Sequence, residues 1–279
     1  MIKMDKGDIL ISVVIPTFNS ERTLKACLES IKRQSEKNIE IIVVDGFSSD
    51  NTLKIARYFR CKVIQTKWRV LGARYIGAKN SNGKYILMVD SDQILKDNKI
   101  IEKSMKLMRK YDMLVLEEDS INKSTFLEKA ASADRKLVHK LYEAQIDPLN
   151  GVLVPRFFDR KIILKAFKNI NIGKLHDIMI FEDAIVYYEA YKISKKIGIL
   201  SNAILHNEPK NFREFFKHNY RYGVAARELK NTEYKELIKT KTRFRKDSLK
   251  SNSLSLIIYS FILVLLKGIA YELGYIFGR

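Results

Sequence analysis

The sequence predicts an α/β protein built on a Rossmann-like, mostly parallel sheet flanked by helices. Short apolar, β-branched runs alternate along the chain with segments whose apolar residues recur at helical spacing. The runs are nearly continuous in apolar character, which is typical of parallel strands buried on both faces. The 279 residues allow one such domain of about 200–250 residues and an appendage.

The predicted elements alternate in the order that a doubly wound sheet requires. The first strand, 9–15, precedes a helix in which Leu24, Cys27, Leu28 and Ile31 recur at helical spacing. Further strands are predicted at 39–44, 62–64, 85–89 and 152–158, and further helices at 98–110, 124–142, 182–196 and 211–230. Because ligands of such a sheet bind beyond the carboxyl ends of its strands, the residues that follow each strand are the candidates for function.

Composition limits the classes of protein to consider. Hydrophobic residues make up 46% and charged residues 30% of the chain, as in a folded protein. The two cysteines, Cys27 and Cys61, form no CxxC pair and indicate neither a zinc ribbon nor a disulfide framework. The N-terminal residues contain no apolar run of signal-peptide length, so we expect the bulk of the protein on the cytoplasmic side.

The formal net charge of +19 indicates an affinity for polyanions. Nucleic acid, anionic lipid and a phosphorylated substrate all fit, and a generally lysine-rich surface explains the charge equally well. The basic, aromatic-rich segment 212–227 is where a nucleic-acid-binding protein would show its interface. The same segment suits an interfacial helix near anionic lipid, so the charge alone does not choose a function.

The C-terminal segment differs in kind from the rest of the chain. Residues 254–277 carry only Lys267 and Glu272 as charges, and as a helix they would measure roughly 36 Å against a bilayer core of about 30 Å. A strongly basic stretch precedes them, as expected on the cytoplasmic side of a membrane. We therefore predict a main domain at 1–228, a basic juxtamembrane segment at 229–252 and a membrane-associated or transmembrane helix at 253–279. A buried helix or an oligomer contact is the alternative.

Asp90-Ser91-Asp92 directly follows the apolar strand 85–89. Because side chains alternate faces along an extended chain, Asp90 and Asp92 point to the same side. Two hard oxygen ligands there suit Mg²⁺ or Mn²⁺, which would bridge to a diphosphate and withdraw charge from it as it leaves. An acidic turn that caps the next helix is the alternative.

Asp45 occupies the matching place after the strand 39–44. Its carboxylate can accept hydrogen bonds from a nucleobase or a ribose. A turn-forming role before Gly46 is the alternative for this residue.

The sequence lacks the phosphate-binding loops of several other nucleotide-binding classes. No GxGxxG follows a strand, which disfavours a dinucleotide oxidoreductase. Gly72 and Gly77 have the separation of a P-loop, but the Gly-Lys-Ser/Thr ending is missing. A nucleotidyltransferase would be expected to carry a glycine-rich loop after the first strand, where this chain has PTFN at 16–19.

Five segments carry a resemblance to a known family: SVVIPTFNSERTL at 12–24, IEIIVVDGFSSDNT at 39–52, LGARYIGAKNSNGKYILMVDSD at 71–92, VPRFF at 154–158 and FEDAIVYYEAYKISKKIGILSNAILHNE at 181–208. In these segments the chain resembles the inverting family 2 glycosyltransferases, which have a GT-A type nucleotide-sugar domain. The resemblance touches most of residues 9–225, in the family's order and at its usual spacings. It implies a GT-A type fold, a nucleotide-sugar donor and a divalent metal, Mn²⁺ or Mg²⁺.

The resemblance also implies roles for the residues that would hold the donor. Pro16, Thr17 and Asp45 would line the nucleotide pocket. Arg74 would lie near the base or the diphosphate, and Asp90 would contact the nucleoside.

Four further residues receive roles around the metal and the acceptor. Asp92 would hold the metal, and His206 would lie near the metal or the diphosphate. Glu182-Asp183 matches the family's acidic motif on the acceptor side. In that motif we assign Glu182 to the nucleotide sugar and Asp183 to the catalytic base.

Two departures from the family pattern bear on specificity. Where the family often has two adjacent aspartates followed by glycine, this chain has Asp45-Gly46-Phe47, which leaves recognition of the base open. The segment HNYRY at 218–222 lacks the glutamine and tryptophan of the QxxRW element of processive members, which argues against polymer synthesis.

A sugar hydroxyl is a poor nucleophile, so a positioned carboxylate must take its proton during attack. Asp183 has the right chemistry, whereas a phosphate acceptor would be ionised already and would need no strong base. We therefore expect transfer to a hydroxyl of a lipid-linked or membrane-proximal glycan, with the catalytic domain on the cytoplasmic side of the cell membrane. Transfer to a polyprenyl (dolichyl) phosphate and a basic nucleic-acid-binding protein are the alternatives.

Overall fold

A computed structural model describes residues 10–142, 146–149, 153–209, 211–238 and 254–278. The strands in these ranges are β1 (Ile11–Thr17), β2 (Ile39–Asp45), β3 (Lys62–Gln65), β4 (Tyr85–Met88), β5 (Gln93–Leu95), β6 (Met113–Ser120), β7 (Phe157–Asp159) and β8 (Ile197–His206). The helices are α1 (Leu24–Lys32), α2 (Thr52–Tyr58), α3 (Val70–Lys79), α4 (Ile100–Leu107), α5 (Phe126–Tyr142), α6 (Arg160–Asn169), α7 (Ile172–Leu175), α8 (Glu182–Ile193), α9 (Phe212–Leu229) and α10 (Leu254–Phe277). Residues 9 and 152, where two predicted strands begin, lie outside the described ranges.

The strands form one eight-stranded sheet in the order β3-β2-β1-β4-β7-β6-β8-β5. Strands β3, β2, β1 and β4 run parallel, because helices connect them across the faces of the sheet. Strand β7 lies between β4 and β6 and runs antiparallel to both. The α/β prediction is therefore confirmed, while the sheet is mixed where the sequence predicted a mostly parallel one.

The core lies between the sheet and the apolar faces of its helices. In β1, the run from Ile11 to Ile15 is fully buried, as the continuous apolar sequence predicted. The helical spacing predicted for α1 is confirmed, since its four apolar residues pack on the sheet: Leu24, Cys27, Leu28 and Ile31. Burying a side chain of that size stabilises the fold by about 1.5–3 kcal/mol.

Two glycines of helix α3 leave no room for a side chain against their neighbours. A Cβ on Gly77 would collide with Cγ1 of Val14 in β1, and a Cβ on Gly72 would lie 2.6 Å from Cβ of Trp68. Gly72 and Gly77, which have the separation of P-loop glycines, therefore serve helix packing. The close approach matters because α3 carries Arg74 to the edge of the sheet.

The chain divides into two compact units. The first contains the segments up to Glu117 and Pro155–Leu205, and the second contains Glu118–Val154 and the chain from His206 onward. The division differs from the predicted boundaries at 228 and 252, because α10 packs against α9 and α5 and joins them in one unit. Most of the predicted basic juxtamembrane segment, residues 239–252, lies outside the described ranges.

Within the second unit, α10 has one face packed and one face exposed. A Cβ on Gly274 would collide with the carbonyl oxygen of Tyr220, so α9 and α10 approach backbone to backbone. The Lys267 ammonium pairs with the buried Asp134 carboxylate of α5 at 3.1 Å. In the part of the chain that the structure describes, no helix combines the length and apolar character that a membrane crossing requires. Of the predicted membrane-associated or transmembrane helix, the crossing is therefore not supported, whereas membrane association stays a prediction. Within its unit, α10 is held by glycine contacts and an ion pair.

Candidate functional site

Asp45, at the carboxyl end of β2, organises the turn that follows the strand. Its Oδ1 accepts hydrogen bonds from the hydroxyls of Thr17 at 2.9 Å and Ser48 at 2.5 Å. Its Oδ2 accepts from the Ser48 backbone N–H at 2.9 Å and from Nε2 of Gln65 at 3.4 Å. The structure thus brings Thr17 and Asp45 together, as the sequence predicted, and shows the turn-forming role of this fully buried carboxylate.

The loops that follow β1 and β2 lie side by side and are joined by hydrogen bonds. Asn19 receives a hydrogen bond on its side-chain oxygen from the backbone N–H of Ser49 at 2.9 Å. Its own backbone N–H donates to the hydroxyl of Ser48 at 2.8 Å. These links fix the residues after Pro16 and Asp45 relative to each other, so this edge of the sheet is a preorganised surface.

Asp90 is held by two arginines, one on each carboxylate oxygen. Nη2 of Arg74 lies 2.6 Å from Oδ1, and Nη1 of Arg156 lies 3.1 Å from Oδ2. The turn beneath is closed by Gln93, whose Oε1 accepts from the Asp90 backbone N–H at 2.9 Å. Asp90 therefore sits at the carboxyl end of β4 in a fixed orientation, partly open to solvent.

Arg74 has more donors than protein acceptors. Its side chain is almost completely buried, with 1% of the residue exposed, and Nη2 also lies 3.3 Å from Oε1 of Glu182. Nε and Nη1 are buried and have no hydrogen-bond partner among the described residues. A buried donor without a partner costs about 1–3 kcal/mol, so these two nitrogens call for an acceptor that the described residues do not supply.

Glu182 and Asp183 begin helix α8 behind a strained residue. Phe181 is buried and has a φ of 69°, a left-handed conformation that a bulky residue adopts only when its surroundings impose it. The two carboxylates lie in the first turn, where the positive end of the helix dipole favours negative charge. Burial raises the pKa of Glu182 to about 7, and the neighbouring charge of Asp183 acts in the same direction, while Arg74 opposes both.

Asp92 is half-buried at the same edge of the sheet. Within the described ranges, no group of three or more His, Cys, Asp or Glu side chains is placed to hold a metal ion by itself. A carboxylate that shares a Mg²⁺ or Mn²⁺ with substrate phosphates needs no such group, because these ions are commonly bound by one or two carboxylates and phosphate oxygens. The Asp92 donor therefore fits a metal that arrives with a diphosphate.

His206 belongs to a different unit from the other predicted site residues. It is the last residue of β8 and opens the second segment of the second unit, and its Nδ1 lies 3.9 Å from Oε1 of Glu208. The other predicted site residues, from Pro16 to Asp183, belong to the first unit. A role for His206 near the metal stays a prediction.

The sequence profile described as Glycosyl transferase family 2 matches residues 12–170, more than half of the chain. The chain belongs to glycosyl transferase family 2. The family resemblance that the sequence motifs indicated is therefore confirmed.

Relatives of this family 2 glycosyltransferase include WfgD of Escherichia coli, described as a UDP-Glc:alpha-D-GlcNAc-diphosphoundecaprenol beta-1,3-glucosyltransferase. The two chains are 30% identical over 140 residues, which is 48% of this chain and 55% of WfgD. The chain spans between 33% and 55% of the length of the first curated relatives that it matches.

Two solved structures show the same fold. That of Staphylococcus aureus TarS 1-349 in complex with UDP-GlcNAc has a TM-score of 0.56 at 16% identity, covering 95% of this chain and 90% of that one. That of the mannosyltransferase PcManGT from Pyrobaculum calidifontis, in complex with GDP-Man and Mn2+, has a TM-score of 0.60 at 11% identity, covering 96% and 87%. The family 2 glycosyltransferase thus has the predicted GT-A type α/β fold.

One residue of the cluster escaped the sequence-based assignment of roles in this family 2 glycosyltransferase. Arg156 lies in the apolar run LVPRFF and was part of the motif VPRFF, yet no role was assigned to it. The available signal was a single charge among residues that otherwise read as a buried strand. Its partner Asp90 lies far away in sequence, and only the pairing of β7 with β4 brings them together.

Proposed function

We propose that the chain transfers a sugar from a nucleotide-sugar donor to a hydroxyl acceptor with inversion at the anomeric carbon. The observation that carries this proposal is the cluster around Arg74, a buried guanidinium beside Asp90 and Glu182. Its Nε and Nη1 have no hydrogen-bond partner among the described residues. Such donors match the oxygens of a diphosphate, since a guanidinium binds phosphate in a planar, two-pronged arrangement. The UDP-GlcNAc that S. aureus TarS binds in its structure supports a donor of this class.

The donor site follows from the elements that end at this edge. Strands β2, β1 and β4 lie side by side, so Asp45, Thr17 and Asp90 are presented in a row. Asp92 would hold Mn²⁺ or Mg²⁺ together with the donor diphosphate, and the metal would supply charge neutralisation of that leaving group. The Mn2+ in the PcManGT complex supports a metal of this kind.

The acceptor side is built by the start of α8. Asp183 is half-buried, and its Oδ1 accepts a hydrogen bond from the backbone N–H of Ala184 at 2.7 Å, which fixes its orientation. We assign to its carboxylate the removal of the proton from the attacking hydroxyl. Glu182, whose pKa is raised by burial, orients the cluster through its contact with Arg74.

A lipid-linked or membrane-proximal glycan is the acceptor class that we propose. The name of WfgD describes transfer to a sugar on diphosphoundecaprenol, an acceptor of this class. A base carboxylate at Asp183 favours a sugar hydroxyl over a polyprenyl phosphate, because an ionised phosphate has no proton to lose.

We further propose that α10 lies on an anionic membrane surface, with the first unit on the cytoplasmic side. Its exposed apolar residues recur every three or four positions and so share one face: Ile258, Phe261, Leu265, Ile269, Leu273 and Ile276. Glu272 is also exposed on this helix, which suits the depth of the lipid headgroups better than the hydrocarbon core. The net charge of +19 complements anionic lipid.

The activity is tested by titrating UDP- and GDP-sugars with Mn²⁺ into the protein and by assaying transfer to a lipid-linked disaccharide. We expect Asp183→Asn to bind the donor with nearly the same Kd and to lower kcat by about 10²-fold or more. Asp177→Asn, which changes an exposed carboxylate of the same unit, is the matched control and leaves kcat unchanged. Near-normal turnover by the Asp183 variant would remove the assignment of the base.

The membrane proposal is tested by sedimentation with vesicles. We expect the full chain to sediment with phosphatidylglycerol-containing vesicles, and the double variant Leu265→Glu with Ile269→Glu to remain in the supernatant. Tyr58→Glu removes an exposed apolar side chain from the first unit and is expected to sediment like the wild type. Equal sedimentation of all three proteins would show that α10 does not contact the lipid.

A further inference from the structure

Phe47 holds a backbone conformation that a bulky side chain avoids. Its φ is 61°, in the left-handed region where the Cβ of an L-residue crowds the adjoining carbonyl oxygen. Its side chain is not buried in return, because 53% of the residue is exposed. Glycine or asparagine would fit this position with less strain, so neither local conformation nor core packing accounts for phenylalanine here.

The strain is imposed by the turn between Asp45 and Ser48. The Asp45 carboxylate accepts both the backbone N–H and the hydroxyl of Ser48, which closes the turn around residues 46 and 47. The backbone N–H of Gly46 donates to the carbonyl oxygen of Thr17 at 2.8 Å, which anchors the turn to β1. Phe47 is therefore held in place at the carboxyl edge of the sheet rather than in a loose loop.

A second exposed phenylalanine, Phe18, directly follows the neighbouring strand β1 at the same edge of the sheet. Thr17 and Asp45 are register partners in β1 and β2, so Phe18 and Gly46-Phe47 follow the two strands side by side. Phe18 is 67% exposed, and its Cδ2 would lie 3.3 Å from a Cβ on Gly46. The absence of a side chain on Gly46 gives the Phe18 ring its room next to the Phe47 backbone.

The distance between Phe47 and the arginine cluster suits the nucleobase of the donor. Strand β2 is separated from β4 by β1 alone, so the turn at Phe47 and the Asp90 carboxylate lie about two strand spacings, or roughly 10 Å, apart along the sheet edge. When the diphosphate of an extended nucleoside diphosphate lies at Arg74, its base reaches the turn at Phe47. Aromatic side chains bind any base through its flat face.

We propose that Phe47 is a base-stacking residue of the donor site, which the nucleobase covers when the nucleotide sugar binds. This inference rests on the proposed function and adds a residue to it where the family pattern usually has glycine. Stacking does not read the hydrogen-bonding edge of the base, so Phe47 supports uracil and guanine alike. Stacking of its ring on the base explains why the turn has a bulky residue at a strained position.

The test compares Phe47→Gly and Phe47→Tyr with the wild type in calorimetric titrations of UDP, GDP and pyrophosphate in the presence of Mn²⁺. We expect Phe47→Gly to lower the affinities for UDP and GDP by about tenfold each, because one base-aromatic stack is lost. Pyrophosphate binding stays unchanged, since it has no base. Phe47→Tyr retains wild-type affinity, and Tyr58→Ala, an exposed aromatic replaced in the same unit, also does.

Thermal melting separates a lost stack from a damaged fold. Phe47→Gly is expected to melt no lower than the wild type, because glycine relieves the strain at this φ. Unchanged affinity of the glycine variant for UDP and GDP, or an equal loss for pyrophosphate, would overturn the inference while the proposed function stands. A wild-type protein that binds neither nucleotide would instead overturn the proposed function, and this inference with it.

Discussion

Arg156 and Arg74 bind different oxygens of the Asp90 carboxylate: Nη1 of Arg156 lies 3.1 Å from Oδ2, and Nη2 of Arg74 lies 2.6 Å from Oδ1. One arginine comes from helix α3 and the other from the segment before β7, so the carboxylate joins two parts of the sheet edge. Because Arg74 is also paired with Glu182, the charged groups after β4 and at the start of α8 form one network. The predictions below follow from this network and from the packing that supports the chain around it.

Replacing Arg156 by glutamine should loosen the site without unfolding the protein. Oδ2 of Asp90 loses its charged partner, and a partly buried hydrogen-bonded charge of this kind contributes about 1–3 kcal/mol. We expect the UDP affinity to fall by about tenfold in calorimetric titration. Arg160→Gln is the control, because Arg160 donates to Ser81 and should leave UDP affinity unchanged. Equal affinities in both variants would show that Asp90 needs no second arginine.

Stability should depend on pH through Glu182. Its pKa is raised from 4.5 to about 7 in the folded protein, chiefly by burial. Between these values the folded state retains a proton that the unfolded chain has released, so stability falls as pH rises from about 4.5 to about 7. Glu182→Gln remains neutral throughout and lacks this contribution.

The Glu182 prediction is checked by melting both proteins from pH 4.5 to 8. The Tm of Glu182→Gln relative to the wild type should increase with pH across this window. The effect would be reversed for a carboxyl group whose pKa is lowered by its partners. A constant difference in Tm would contradict the raised pKa.

The glycines of α10 should respond to substitution in opposite ways. An alanine Cβ at Gly274 would collide with the Tyr220 carbonyl oxygen of α9, whereas Gly268 has no neighbouring atom within 4 Å among the described residues. We expect Gly274→Ala to destabilise the protein by about 1–3 kcal/mol through overpacking. Gly268→Ala should stabilise it by up to about 1 kcal/mol through helix propensity. Urea unfolding measures both, and a stabilised Gly274→Ala would show that the helices are not in close contact.

Metal removal should act on nucleotide binding through Asp92. We expect EDTA to weaken UDP binding by the wild type by about tenfold or more, since the diphosphate then lacks its counter-charge. Asp92→Asn should bind UDP weakly with or without Mn²⁺. Asp97→Asn, which changes a carboxylate paired with Lys103 at the surface, should keep the full Mn²⁺ response. An identical UDP affinity with and without EDTA would remove Asp92 as a metal ligand.

Much of the fold could be read from local pattern. The apolar runs placed β1, β2, β3 and β4 to within a few residues, and the C-terminal helix lies at the predicted 254–277. These elements are marked by the period of their apolar residues, which is a local property of the chain. The direction of β7 has no such local signal, since a strand of three residues, Phe157–Asp159, suits a parallel or an antiparallel neighbour.

The candidate site divides in the same way. Asp45, Asp90 and Asp183 became candidates because each ends or follows a strand or begins a helix, which is visible in sequence. Arg156 was not singled out, because its partner is brought to it by strand pairing. The left-handed φ of Phe47 is likewise invisible in sequence, since it results from the Asp45–Ser48 turn.

The sequence by itself determined the α/β class, the family and the row of acidic residues at the ends of the strands. Only the tertiary structure decided that Arg74 is buried with two donor nitrogens unpaired by any described residue, that Asp90 is shared by two arginines, and that α10 packs on α9 and α5. The physical reason is that periodicity and motif order are encoded by neighbours along the chain. Burial, ion pairing and helix contact depend on residues that are distant in sequence and adjacent only after folding.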